Sequence, residues 1–328
     1  MLNVALFGAG RIGKVHAASV AKNSDAQLLA VVDVHEPSAR ALAEQYGARV
    51  SSQEAVFSDA SIDAILICSA TNTHADLIEA GARSGKVIFC EKPIDLSLER
   101  VKSCLAVVKE HKAKLFVGFN RRFDKNFRAL KNALTNGEIG KAELLQISSR
   151  DPGPPPLDYI KVSGGLFRDM MIHDLDMACW LMGETPVAVS ASASSVVDKK
   201  IGEAGDVDTA IVTLEFASGA LAVITNSRRA SYGYDQRIEV HGEKGMLQAE
   251  NVLESTLIKS TGDGVVSQKP MYFFLERYEG AYASELESFI QLANGKAEAE
   301  VSGEDGERAL ALADAALRAL ESGQKQRL

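Results

Sequence analysis

The sequence has few cysteines, and none of them are paired by spacing. Cys68, Cys90, Cys104 and Cys179 contain no CxxC, and Cys68 and Cys90 fall in apolar, strand-like runs. That pattern excludes a disulfide scaffold and a cysteine metal centre, and it predicts reduced core thiols in a cytoplasmic protein with no metal. Positive charge is also short. Lys and Arg number 36 against 44 Asp and Glu, for a net charge of −8. No basic field is available to neutralise phosphates, so no nucleic-acid partner is expected. No run of about 18 apolar residues occurs, which excludes a helical membrane span. No basic stretch or cleavage site precedes the first glycine turn, so no signal peptide is expected. Proline is scarce except at one place: four of the eight prolines lie within residues 152–156.

What is present is enough chain for two domains. The 328 residues are 46% hydrophobic and 24% charged, as in ordinary globular proteins. Residues 2–7 are an apolar run that reads as a buried strand, followed by Gly8-Ala9-Gly10-Arg11-Ile12-Gly13 and a helical segment over 14–22. Gly8 permits the tight turn, Gly10 lets a pyrophosphate approach the main chain, and Gly13 allows close helix–strand packing. The unpaired N–H groups at the helix start then face two phosphates. A second strand over 27–32 ends in Asp33, 20 residues beyond Gly13, where a carboxylate binds the adenosine ribose hydroxyls. Asp33 would repel the 2′-phosphate of NADP, and Val34 and His35 supply no arginine to receive it, so NAD is the expected cofactor.

Strand and helix alternate through residue 118: helix 36–46 stopped by Gly47, strand 62–67, helix 73–84, strand 87–90, helix 97–111 and strand 115–118. Such βαβ alternation predicts a doubly wound parallel Rossmann domain over 1–120, with ligands at the carboxyl ends of its strands. Beyond it the pattern changes to helix 125–136, strand 142–149, the proline-rich loop and helix 165–181. Strand-like runs then follow at 187–197, 209–216, 220–227, 237–242 and 246–250, which read as consecutive antiparallel strands. Helices over 281–293 and 304–322 close the chain, the second announced by the cap-like Ser302-Gly303-Glu304-Asp305. The fold class is therefore α/β: a Rossmann domain followed by an α+β domain over 121–328 with a large open, mainly antiparallel sheet. Residues 220–224 are apolar on both faces, which predicts a homo-oligomer formed through that sheet.

Three strand ends supply candidate chemistry. Ser69, Thr71, Asn72, Thr73 and His74 lie at one, although helix capping by Asn72 or Thr73 explains part of that pattern. Glu91-Lys92-Pro93 lies at another. A lysine is ordinarily a solvated surface charge, but the strand end puts Lys92 at the ligand edge, and a cis peptide before Pro93 would fix its direction. Arg121 and Arg122 follow the last strand; one could reach the cofactor and the other a surface carboxylate. In the second half, Asp169, His173 and Asp176 fall in one sector of a helix, opposite Met171, Leu175, Ala178 and Met182. Either this is a solvated charged face, or a neutral imidazole takes an alcohol proton with Asp169 stabilising the imidazolium. Asp151 stands in the stiff loop before that helix, which is either a linker or the wall of a pocket.

The glycine turn, Asp33, Glu91-Lys92-Pro93, Gly118-Phe119-Asn120-Arg121-Arg122-Phe123 and the Asp169/His173 helix together resemble the Gfo/Idh/MocA oxidoreductase family over essentially the whole chain. Arg150-Asp151-Pro152-Gly153-Pro154-Pro155-Pro156 and Ser231-Tyr232-Gly233-Tyr234-Asp235 are similar to its inositol 2-dehydrogenase branch. The resemblance implies NAD-dependent oxidation of myo-inositol, or a close cyclic polyol, to the 2-keto product. It implies a catalytic set of Lys92, Asp169 and His173, with Asp151 and Tyr232 or Tyr234 contacting substrate. It further implies cofactor contacts from Gly8, Gly10, Arg11, Ile12, Gly13, Asp33, Ser69, Thr71, Asn72, His74, Glu91, Lys92 and Arg122, and a dimer or tetramer through the second sheet. A pyranose dehydrogenase and a non-catalytic NAD-binding regulator are the alternatives on the same frame.

Overall fold

The structure, a computed structural model, describes residues 1–328. The chain forms two compact units: Met1–Phe123 with Gly280–Leu310, and Asp124–Glu279 with Ala311–Leu328. A single cut in the sequence therefore does not separate them.

The first unit is built on six parallel strands: β1 (Leu2–Phe7), β2 (Ala26–Val32), β3 (Arg49–Val50), β4 (Ala64–Ile67), β5 (Val87–Glu91) and β6 (Leu115–Gly118). Their order is β3-β2-β1-β4-β5-β6, so the winding reverses between β1 and β4, where such sheets bind ligands. Runs such as Val4-Ala5-Leu6-Phe7 and Ile65-Leu66-Ile67 are buried on both faces, as a sheet covered by helices on both sides requires. Phe89 and Phe116 stack at 5.7 Å, and Phe289 of helix Glu279–Ala293 meets both edge-on at 5.6 and 6.1 Å. Residues distant in sequence thus complete this core. Ser302 and Asp305 form the expected reciprocal cap: Asp305 N donates to Ser302 Oγ at 3.2 Å, and Ser302 N to Asp305 Oδ2 at 2.9 Å. The sequence reading missed β3 and the short helix Gln53–Ser58. Two exposed strand residues carry no alternation by which to find them.

The second unit carries a seven-stranded sheet of β7 (Ala142–Arg150), β8 (Pro186–Ser194), β9 (Thr209–Phe216), β10 (Leu221–Ser227), β11 (Asp235–Gly242), β12 (Gly245–Ala249) and, after a separate hairpin of β13 (Ile258–Thr261) and β14 (Gly264–Ser267), β15 (Gln326–Arg327). Its order is β12-β11-β7-β10-β9-β8-β15. The consecutive antiparallel arrangement holds over β8-β9-β10 and β11-β12 but fails at one joint, where β7 separates β10 from β11 and pairs parallel with β10. The polar tail at 326–327 is likewise a strand, pairing with β8 through its backbone alone. Strands alternate cleanly: in β9, Ala210, Val212, Leu214 and Phe216 are buried while Ile211 and Thr213 face outward. Residues 220–224 follow this rule, with Ala222 and Ile224 inside and Leu221 exposed, so apolar side chains stand on both faces of the strand and only the inner one is covered within the chain. Helix Ile172–Met182 is tied to the inner face by Asp174, whose two oxygens accept from Ser149 Oγ of β7 at 2.6 Å and Asn226 Nδ2 of β10 at 2.8 Å.

Candidate active site

The glycine turn has the geometry its three glycines foretell. Gly8 sits at φ +98°, and a Cβ there would lie 2.5 Å from the Cys68 carbonyl oxygen. A Cβ at Gly13 would stand 1.9 Å from the Gly8 carbonyl oxygen, so helix Arg11–Lys22 can lie this close to β1 only with glycine there. At Gly10 an added Cβ would meet nothing within 4 Å. The backbone is therefore open where a pyrophosphate would lie, and no side chain caps the helix start, leaving its N–H groups for an anion. Asp33 closes the turn from the end of β2: Oδ2 accepts from Ala9 N at 2.6 Å and Oδ1 from His35 N at 2.7 Å. Beside it, Val34 is fully exposed. A carboxylate anchored for ribose hydroxyls, an apolar side chain next to it and an open phosphate cradle fit a dinucleotide.

The next strand ends hold Lys92. Its peptide bond to Pro93 is cis, as expected. His74, at the start of helix His74–Arg83, is buried with Nδ1 2.8 Å from the Pro93 carbonyl oxygen and Nε2 3.1 Å from that of Ser69. Burial lowers the His74 pKa against the pull of these two carbonyls, which raise it. His74 therefore braces the Lys92–Pro93 turn. Ser69 Oγ donates to Thr73 Oγ1 at 2.6 Å, and Thr73 Oγ1 to the Ala70 carbonyl at 2.7 Å. Neither Asn72 nor Thr73 caps the helix with its side chain, contrary to the capping explanation; the hydroxyls instead knit residues 69–73 into a single turn of 3₁₀ helix over Thr71–Thr73. Glu91 accepts from His16 Nε2 at 2.7 Å.

Arg121 and Arg122 are both buried. The Arg122 guanidinium meets Asp305 Oδ1 at 3.0 Å and donates to the Glu300 carbonyl at 3.2 Å. Burial works to raise the Asp305 pKa, but Arg122 and the Ser302 N–H overcome it and hold the carboxyl below its ordinary range. Arg122 thus braces its own unit through these contacts.

In the second unit, Asp169 lies in a π-turn, Phe167–Met171, that runs into helix Ile172–Met182 carrying His173. The wider turn inserts an extra residue and offsets the faces on either side of it. A uniform helix through 165–181 with Asp169, His173 and Asp176 in one polar sector is therefore not what forms: His173 stays partly exposed while Asp176 is buried. Asp169 is held by two residues that the sequence reading missed. Tyr159 Oη donates to its Oδ1 at 2.9 Å, and the Arg228 guanidinium lies 3.7 Å from Oδ2. Arg228, 1% exposed just beyond β10, also lies 3.7 Å from Asp206 Oδ2 and 4.0 Å from Asp151 Oδ2. Three carboxylates thus gather round one buried guanidinium, bringing candidate substrate residue Asp151 and candidate catalytic residue Asp169 together. Asp206 Oδ1 accepts from Leu166 N at 3.0 Å and anchors the chain just before the π-turn.

The two candidate tyrosines separate. Tyr232 is exposed, donating to Asp235 Oδ2 at 2.6 Å and accepting from Arg150 Nη1 at 3.2 Å. Burial and the bond to Asp235 raise its phenol pKa. Tyr234 is a core residue packed edge-on against Tyr278 at 5.9 Å.

Residues 2–119 match a model of the oxidoreductase family with the NAD-binding Rossmann fold, and residues 127–248 match the GFO/IDH/MocA C-terminal domain. The chain is similar to an inositol 2-dehydrogenase of Rhizobium meliloti strain 1021, 56% identical over 315 residues that cover 96% of each chain. It is similar in structure to a myo-inositol dehydrogenase from Corynebacterium glutamicum, with a TM-score of 0.96 and 45% identity over 100% of this chain and 99% of that one. Its likeness to a scyllo-inositol dehydrogenase from Lactobacillus casei, whose crystal structure contains NAD(H) and scyllo-inositol, has a TM-score of 0.93 at 28% identity over 100% and 99% of the two chains. With both halves matched, and with the phosphate cradle and Asp33 in place, the chain belongs to the Gfo/Idh/MocA family of NAD-binding oxidoreductases.

Proposed function

We propose that the protein is an inositol 2-dehydrogenase, oxidising myo-inositol or a close cyclic polyol to its 2-keto product with NAD. The observation that carries this reading is the end-to-end similarity, at 56% identity, to a protein of that activity. The dinucleotide would be held by the Gly8–Gly13 turn, by Asp33 at its ribose, and by the segments around Ser69–His74 and Glu91-Lys92. When bound, its nicotinamide accepts the hydride leaving the carbinol carbon. His173 takes the hydroxyl proton as the carbonyl forms, then passes it to water. Lys92 donates a hydrogen bond to the reacting oxygen while negative charge builds there. Asp169, fixed by Tyr159 and Arg228, orients the imidazole and stabilises its charged form. Asp151 and Tyr232 bind further ring hydroxyls.

The test is NADH appearance at 340 nm with a panel of inositols and aldopyranoses, run with NAD and NADP in parallel. Turnover strongest with myo-inositol and NAD is expected, and Lys92→Ala should lower kcat by about 10³ with little change in NAD affinity. Turnover only with a pyranose overturns the substrate, and near-normal turnover of Lys92→Ala overturns the role of that lysine.

The protein acts in this reading as a cytoplasmic homo-oligomer, a dimer or tetramer. Leu144 of β7 and Leu221 of β10 pair as exposed apolar neighbours on the face opposite helix Ile172–Met182, and exposed Met246 of β12 lies in the same row beyond His241 of β11. Such a row is covered when a second copy packs on the sheet. Sedimentation showing only monomer at micromolar concentration overturns this.

A further inference from the structure

His16, Glu91 and Glu285 meet in a buried cluster, and of the three only Glu91 is given a part in cofactor binding above. One nitrogen or oxygen from each lies within 4.8 Å of the others. They come from three elements of the first unit: helix Arg11–Lys22, the end of β5 and helix Glu279–Ala293. The His16 ring is flanked by Phe89 at 4.8 Å and Tyr282 at 5.6 Å. Gly118 closes over Glu91, since a Cβ there would stand 3.1 Å from Glu91 Oε2. His16 Nε2 and Glu91 Oε1 bond to each other at 2.7 Å, while no donor group reaches either oxygen of the fully buried Glu285.

Charge decides what this cluster can be. The ionisable groups facing Glu285 are Glu91, His16 and the Cys68 thiol just beyond β4, and no lysine or arginine forms an ion pair with it. Two carboxylates this close in an apolar pocket do not both ionise. A divalent cation would also balance them, but ligands on one tetrahedral ion with bonds of about 2.0–2.1 Å stand about 3.3 Å apart, wider than the His16–Glu91 contact. A proton fits the geometry better. His16 and Glu91 already satisfy one another, so Glu285, which no donor reaches, is the group left to carry the acid hydrogen.

We propose that Glu285 is a positioning residue for Lys92: its carboxyl remains the neutral acid, shares its proton with Glu91, and so holds the Glu91–Lys92 turn against the helix that follows the glycine turn. Burial first, and Glu91 second, push the Glu285 pKa well above the ordinary range, in keeping with this geometry. The role of Lys92 rests on the function proposed above; the protonation of Glu285 does not.

The sign of the pH effect follows. Because the folded-state pKa is raised, the native protein holds one more proton than the unfolded chain once pH exceeds the ordinary glutamate value. The stability contribution is complete below that value and is lost as pH rises towards the folded pKa. Relative to Glu285→Gln, whose amide copies the shape of the neutral acid, the wild-type unfolding constant should rise tenfold per pH unit through that window. Infrared spectra at pH 7 should show a protonated-carboxyl band in the wild type that is absent from Glu285→Gln. Glu285→Gln should keep kcat within about twofold at pH 7 and move the alkaline fall of kcat to higher pH. Glu285→Leu, which lacks the donor, should lose about tenfold in kcat with a smaller change in KM for NAD.

The wild-type spectrum alone decides the protonation even where a variant does not fold: no protonated-carboxyl band at pH 7 overturns it. Parallel stability profiles of wild type and Glu285→Gln, or a stoichiometric divalent metal in the purified protein, overturn it as well. A band present together with coincident alkaline limbs overturns the positioning role. The band and stability readouts need no substrate, so they stand apart from any failure of the inositol assignment.

Discussion

Two acidic clusters, one in each unit, are buried in opposite ways. In the first, Glu91 and Glu285 share a pocket whose only basic group is the His16 imidazole. In the second, Asp151, Asp169 and Asp206 surround a guanidinium that keeps its charge at any working pH. A proton can leave and a guanidinium cannot, so the first arrangement responds to pH where the second endures. Lys92 follows Glu91 of the titratable cluster, whereas Asp169 stands beside the permanent charge. Contact distances differ in the same sense: 2.7 Å for the His16–Glu91 hydrogen bond against 3.7–4.0 Å around Arg228, wide enough that a water or a substrate hydroxyl can bridge guanidinium and carboxylate.

The sharpest way to break this contrast is to remove the fixed charge. Arg228→Met leaves three carboxylates without their cation and should destabilise the protein by about 3 kcal/mol at pH 7. Part of that loss should return at about pH 4, as carboxylates take up protons. Urea denaturation at both pH values measures it, and a loss below about 1 kcal/mol at pH 7 would mean that the guanidinium is not what balances these acids. A smaller effect is expected at Asp206. Asp206→Asn keeps an oxygen for the Leu166 N–H while removing one of three like charges, so its cost should stay within about 1 kcal/mol. In the Arg228→Met background the same change should be stabilising. Additive effects in the double variant would show the two side chains uncoupled.

Much of the first unit was legible because its signals are local. Gly8, Gly13 and Asp33 act within about 25 residues of one another, and their spacing follows from backbone geometry alone. The Ser302/Asp305 cap is four residues long. What the sequence concealed depends on pairing across distance. Arg228 is one of two adjacent arginines after a strand, and only the packed structure shows that it is buried against residues from three other segments. Tyr159 is a similar case, reaching Asp169 from the helix after the proline-rich loop, Leu157–Ser163. The π-turn at Phe167–Met171 leaves no mark in a periodicity count that assumes 100° per residue. Glu285 did leave a trace: it lies on the apolar stripe of its helix with Tyr282, Leu286 and Phe289 buried around it. An acid in that position signals an unusual protonation state or an unusual partner.

The return of Gly280–Leu310 to the first unit also has a consequence for synthesis. A ribosome delivers β1 to β6 long before it delivers Phe289 and Glu285. Until then Phe89 and Phe116 lack their third ring, and the His16–Glu91 pair stays open to water. The nascent nucleotide-binding half is therefore an unfinished body through most of translation, closed only when about the last seventh of the chain emerges. A chain cut near residue 120 would stay at that stage permanently, with part of its aromatic core uncovered.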